Sequence, residues 1–236
     1  MRLLDRLRGE AVAFWIFMLM ALAGALNAAG FLAFGQTLSH MTGNLTKLGL
    51  GAVGQIGDSA LMFLAFLLCF LLGATLTGYA FPDEAPAQWR RCGWVLSTGG
   101  LLLVAAELLA FPVWLRIALT ACVLGCQNGL ALRYRGVLSR TTHVTGHLTD
   151  LGAAIGRMVQ KRDYHGPELR RTLFHLGCLL GFLLGVALLA ACARLLPAQP
   201  ATSLIALCGA AYALLGLMML MTLKGKVARA NGPAAL

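Results

Sequence analysis

Charge is scarce in this chain. Asp, Glu, Lys and Arg make up 12% of its 236 residues, where a soluble domain carries about 25%. A water-facing surface of normal composition is therefore excluded. The seven cysteines (Cys69, Cys92, Cys122, Cys126, Cys178, Cys192, Cys208) form no CxxC pair and sit mostly inside apolar runs. They read as small buried apolar residues, which excludes a disulfide or zinc framework. No nucleotide-binding loop, Ser-His-Asp pattern or redox motif is present, so neither a cofactor nor a metal is expected. The uncharged run from Ala11 to Ser39 is far longer than a signal-peptide apolar region and is expected to stay with the protein.

Apolar residues fill the gap: 59% of the chain is hydrophobic and mean hydropathy is +0.78. A helix needs about 20 mostly apolar residues to cross about 30 Å of hydrocarbon. Six stretches qualify: Ala11–Phe34, Ser59–Phe81, Cys92–Phe111, Pro112–Leu132, Thr172–Ala193 and Ala201–Leu223. Helices are the expected elements, because an open sheet edge cannot be satisfied in lipid. Phe111-Pro112 marks a tight hairpin between the third and fourth. The expected fold is an all-α membrane protein of six transmembrane helices, a single membrane domain in a lipid bilayer.

The formal net charge of +10 excludes no membrane partner and calls for no nucleic acid. It follows from the excess of Lys and Arg on cytoplasmic loops, with attraction to an anionic lipid or solute as the other reading. With both termini in the cytoplasm, six spans put 16 of the 19 basic residues inside and leave Lys47, Arg116 and Arg194 outside. If the less apolar segments 35–57 and 136–157 also crossed, the count would fall to 12 inside against 6 outside. Six spans in a bacterial inner membrane are expected, with these two segments re-entrant or interfacial.

Those two segments carry an internal repeat. Residues 40–49 read HMTGNLTKLG and residues 143–152 read HVTGHLTDLG, with seven of ten positions identical. The match extends to Phe70-Leu-Leu-Gly73 and Phe182-Leu-Leu-Gly185, and upstream to Asn27 and Asn128. Each half, 11–111 and 112–223, is then a span, a TG motif and two more spans. Three crossings per half is an odd number, so the halves are expected to be inverted. Inverted repeats recur in transporters, with the solute site near the midplane.

Thr42 and Thr145 are good N-cap residues. Leu45, Leu48 and Ala52, like Leu148, Leu151 and Ile155, follow at helical spacing. Thr46 with Gly49, and Thr149 with Gly152, form a small-residue stripe suited to close helix contact. Each motif thus reads as a turn and a short helix. If the coil before each threonine dips inward, free N–H groups and the positive helix end favour an anionic group; the reverse geometry puts them at the surface. Asn44 and Lys47 in the first motif face His147 and Asp150 at equivalent places in the second, which suggests two jobs at one site. Asn27, Thr42, Gly43, Asn44, Asn128, Thr142, Thr145, Gly146 and His147 are the candidate lining residues for a small solute, with carboxylate, phosphate or halide as the natural candidate.

Other features admit blander readings. His143 and His147 stand four apart, a metal-binding spacing without the accompanying Glu of a metalloprotease. His175 reads as an interfacial hydrogen-bonding residue. Glu107 and Arg116 flank the hairpin and read as an ion pair. Gly177, Gly181 and Gly185 recur every four residues as a packing face, within the fold or in a homodimer. A secondary transporter or channel is the leading expectation. The alternatives are a membrane-embedded enzyme using His143, His147 and Asp150, and an accessory subunit that does not transport.

Met41–Asn44 (MTGN), Gly125–Gly129 (GCQNG) and Thr141–Gly146 (TTHVTG) resemble the YoaK family of bacterial membrane proteins, a domain of unknown function. The resemblance covers most of the chain. It implies six helices and assigns no substrate or activity. In that family an aspartate commonly stands at the place of Asn27 and a smaller residue at that of His147.

Overall fold

The computed structural model describes residues 2–55, 60–81, 89–130, 132–134, 137–196 and 203–230. Among these, eight helices form: α1 (Arg2–Phe34), α2 (Met41–Ala52), α3 (Ala60–Ala80), α4 (Trp89–Leu108), α5 (Val113–Gly129), α6 (Val144–Lys161), α7 (Pro167–Leu195) and α8 (Ser203–Ala230). Five carry stretches long and apolar enough to cross a membrane: Val12–Phe34, Ala60–Ala80, Arg91–Leu108, Pro167–Leu195 and Ser203–Met221. They coincide with five of the six stretches read from hydropathy. The remaining one, Pro112–Leu132, folds as the 17-residue α5. At about 1.5 Å per residue it is about 26 Å long, at the short end for a span.

Helix α5 stops early because the chain turns into a two-stranded antiparallel ribbon, β1 (Leu132–Tyr134) with β2 (Val137–Ser139), in which Leu132 pairs with Ser139 and Tyr134 with Val137. The ribbon departs from the helix-only expectation. It satisfies its inner backbone groups between its own strands, the other way to pair polar backbone away from water.

Two compact units make up the chain, and their boundaries cut across its two halves. One unit is Met1–Ser39 with Ala131–Pro200, the other His40–Leu130 with Ala201–Leu236.

In the first unit α1 packs on α7 and α7 carries α6. Lipid gives no hydrophobic drive between helices, so close backbone approach through small residues decides the packing. A side chain at Gly24 would strike the Phe182 carbonyl, and one at Gly185 the Ala21 carbonyl. Gly177 meets the Phe17 ring and Gly181 the Phe17 carbonyl. The Gly177–Gly181–Gly185 face is thus covered by α1, so it packs within the fold, one of the two uses its spacing allowed. Ile16, Met20, Phe174 and Cys178 form the core between the two helices, with Val12, Phe17 and Phe182 against it.

The second unit repeats the device. A side chain at Gly125 on α5 would strike the Phe70 carbonyl of α3, and one at Gly73 the Cys122 carbonyl. Thr77 Oγ1 lies 3.0 Å from the Gly73 carbonyl and 3.0 Å from the Cys126 carbonyl. Helix α4 packs on α8 through facing glycines, Gly93 with Gly216 and Gly100 with Gly209. Helices α4 and α5 are joined by the expected tight turn, which places Ala110 at φ 49°. Arg116 Nη1 donates to Glu107 Oε2 at 2.9 Å, the ion pair expected there.

Both motif helices start earlier than their threonines suggest. The N-cap positions are His40 (φ −83°, ψ 67°) and His143 (φ −94°, ψ 68°), so Thr42 and Thr145 lie inside the first turn and cap nothing. The Thr46 and Thr149 hydroxyls instead donate to the carbonyls four residues back, at 3.0 and 2.9 Å. The small-residue stripe is open as well: nothing lies within 4 Å of a side chain built at Gly49 or Gly152. The faces used are others. Asn44 is the buried residue of α2, and His147 and Ala154 are those of α6.

Candidate functional site

Helix α6 is polar on one side and keeps His147 and Ala154, two turns apart, against α7. Helix α7 buries Thr172, Phe174, His175 and Cys178 near its start. These faces bring two imidazoles together. His147 Nδ1 lies 3.0 Å from His175 Nδ1, and His147 Nε2 lies 3.3 Å from Ser139 Oγ at the end of β2. Relative exposures are 4% for His147, 3% for His175 and 1% for Ser139. Phe174 packs edge-on to both rings, with centroids 6.2 Å from His147 and 5.3 Å from His175. Burial pushes the His147 imidazole down to about 4, with His175 adding to the effect; a charged ring there has lost its water. Thr141 and Thr142 are buried nearby in sequence, and the buried Thr172 Oγ1, three residues before His175, has no hydrogen-bond partner.

The residues singled out from sequence divide between the units. Asn27, Thr142, Thr145, Gly146 and His147 belong to the first; Thr42, Gly43, Asn44 and Asn128 belong to the second. Asn27 Nδ2 donates to the Ala23 carbonyl and to Ser39 Oγ, both at 2.8 Å, while Oδ1 accepts from Ser39 N at 2.9 Å and Ser39 Oγ at 3.1 Å. All four hydrogen-bonding positions of the amide are filled, so Asn27 anchors the chain ahead of the first motif.

Gly43 and Gly146 share one role. A side chain at Gly43 would run into the His40 ring, and one at Gly146 into the His143 ring. Each cap histidine lies over the glycine three residues on. Thr42 and Thr145 are exposed, and Asn128 is half-buried. Asn44 is 3% exposed, and its Nδ2 has no hydrogen-bond partner. Lys47, one turn further along α2, holds Nζ 5.3 Å above the Phe63 ring on α3.

His143 and His147 do not act as a pair, since His143 is exposed and His147 is buried. Asp150 is exposed too. The partner of His147 is His175, which is buried, and hydrogen-bonding as its reading expected. Sequence reasoning missed this contact because 28 residues separate the two. The signal available was that the repeat places Phe63 where the second half has His175, seven residues before each Phe-Leu-Leu-Gly. The buried Gln127–Tyr212 hydrogen bond between α5 and α8 was missed for a similar reason. Gln127 lies inside GCQNG, but nothing local indicates a tyrosine 85 positions away.

A second polar cluster closes the α6–α7 turn. Glu168, buried at the start of α7, accepts from Arg157 Nε at 3.0 Å, Arg171 Nη1 at 3.3 Å and Lys161 Nζ at 3.4 Å. Three cations on one carboxylate tie the end of α6 to the start of α7. The cations are about half exposed, so each pair alone adds little.

The family model DUF1275, described as a protein of unknown function, matches residues 15–221. The YoaK-type proteins, to which the MTGN, GCQNG and TTHVTG motifs point, are members of that family. No curated protein matches the chain, and no solved structure matches it.

Proposed function

We propose that this chain, which belongs to the DUF1275 family, moves a small solute across a membrane as a secondary transporter or channel. The observation that carries this reading is that buried polar atoms lack a hydrogen-bond partner among the described residues, Asn44 Nδ2 and Thr172 Oγ1 among them. Each costs about 1–3 kcal/mol when left unsatisfied, and more in hydrocarbon, where no water is at hand. Native proteins keep few such groups. Asn44 occupies in the first motif the place of His147 in the second. The two motifs therefore bury polar side chains at one corresponding position. A solute, or the water that precedes it, supplies the missing partner.

The same reading includes six spans in a bacterial inner membrane with both termini cytoplasmic, for which the 16-to-3 partition of basic residues speaks. It also includes an inverted repeat. The twofold use of glycine supports it: Gly24 and Gly185 against Phe182 and Ala21, Gly125 and Gly73 against Phe70 and Cys122. Thr142, Thr145, Gly146 and His147 in one unit, and Thr42, Gly43, Asn44 and Asn128 in the other, are the residues proposed to meet the solute or shape its path. The enzyme reading is weaker, because its three residues are divided between a buried imidazole and two exposed groups.

The test is thermal stabilisation of the purified protein against a panel of chloride, phosphate and small carboxylates, with and without EDTA. A concentration-dependent rise in melting temperature that survives EDTA and is lost in Asn44→Ala supports the reading. A panel with no stabilising member, or stabilisation unchanged in that variant, counts against it.

A further inference from the structure

We infer that His147 and His175 form a binding site for a single proton, bridging α6 and α7. Two ring nitrogens 3.0 Å apart are held by one proton, because two lone pairs repel and two N–H groups collide. Ser139 completes the arrangement from the other side of His147, at 3.3 Å. In the neutral pair one Nδ1 donates and the other accepts. If His147 Nδ1 donates, its Nε2 accepts from the Ser139 hydroxyl. One further proton then enters at His147 Nε2, and the Ser139 hydroxyl turns to accept it. The Nδ1 contact survives with one positive charge on the pair. A second added proton has only His175 Nδ1 to occupy, which sets two N–H groups face to face and breaks the contact. The site thus takes up one proton and then stops.

Burial and the neighbouring His143 oppose a positive charge on His147, and one carboxylate favours it. On α6 the charged or titratable groups that act on the pair are His143, Asp150 and Arg157; on α7 it is Arg171. The ribbon contributes the Ser139 hydroxyl, and the residue after it the backbone carbonyl of Arg140, which accepts from His147. The described side chains of α1, from Val12 to Phe34, include no titratable group. Asp150 is the one carboxylate among them. The first half lacks the site: at the two corresponding places it carries Asn44 and Phe63. One half therefore holds a proton where the other carries an amide and an aromatic ring.

Under the transport reading, on which this consequence alone rests, the proton is the coupling ion. An anion beside the pair raises its proton affinity, so that the two bind together. The proton site itself does not depend on that reading.

Histidine-selective 15N NMR of the full-length protein in lipid nanodiscs tests the site through an acid titration. Wild type should show two of its five histidines joined through an Nδ1–H···Nδ1 bond and taking up one proton in one shared step. The His147→Asn and His175→Phe variants, which install the residues of the first half, should each abolish the shared step and release the remaining histidine to titrate alone. If His147 and His175 titrate independently in wild type, the site is refuted, whatever the solute panel gives. If either variant leaves the other histidine's titration unchanged, it is refuted as well.

Discussion

Gly185 of α7 lies so close to the backbone carbonyl of Ala21 on α1 that a β-carbon there would overlap it. The contact is backbone to backbone, so no side-chain rearrangement can relieve a substitution. Gly185→Val should lower the melting temperature of the detergent-solubilised protein strongly, by at least the roughly 1–3 kcal/mol of ordinary overpacking. Gly49→Ala, with nothing within 4 Å, should be neutral or gain up to about 1 kcal/mol from helix propensity. Equal melting temperatures for the two variants would contradict the packing described.

His147 makes stability depend on pH with a definite sign. Its imidazole is held down at about 4 in the folded protein, against an ordinary value of 6.5. The unfolded chain therefore binds the proton first as pH falls. The contribution is fully present above about pH 6.5 and is lost as pH drops towards 4. Thermal unfolding between pH 4 and 7 should show stability rising with pH, and His147→Asn should flatten that rise. A slope unchanged in the variant would assign the effect elsewhere.

The motif glycines are predicted to be occupied positions. Gly43→Leu and Gly146→Leu should each displace the cap histidine, His40 or His143, that lies over the glycine. Because only a ring must move, both variants should fold with losses of about 1–3 kcal/mol while losing solute-dependent stabilisation. Wild-type solute response in both would remove the motifs from the site.

Membrane topology is open to direct measurement. Reporter fusions after Arg91, after Lys161 and at the C-terminus should report cytoplasm, and one after Asp58 should report periplasm. A periplasmic signal at Lys161 would overturn the six-span arrangement.

Glu168 should act as a latch between α6 and α7. Glu168→Gln leaves Arg157, Lys161 and Arg171 clustered without their carboxylate. Proteolysis in the connector between the helices, around Tyr164, should speed up several-fold at low salt and less at high salt, where repulsion is screened. An unchanged cleavage rate would show that the cluster holds nothing together.

What the sequence determined by itself is what depends on neighbours along the chain. Hydropathy placed five spans within a few residues, because the transfer cost of each residue into lipid is nearly independent of its partners. The turn at Phe111-Pro112 and the Glu107–Arg116 pair were legible because their residues are near one another in the chain, and the TG repeat because its two copies share seven of ten residues. The tertiary structure alone decided which faces meet. Gly177, Gly181 and Gly185 announced a packing face without naming α1 as its partner, since close approach of small residues is non-specific until two helices are placed together. Thr42 and Thr145 fit an N-cap by residue type, but the first turn starts at the histidines, where the ring folds over a glycine. His147 and His175 were each visible, and one was even on a repeat. Their 3.0 Å contact joins residues 28 positions apart, and that depends on the angle at which α6 comes back along α7 rather than on any local pattern.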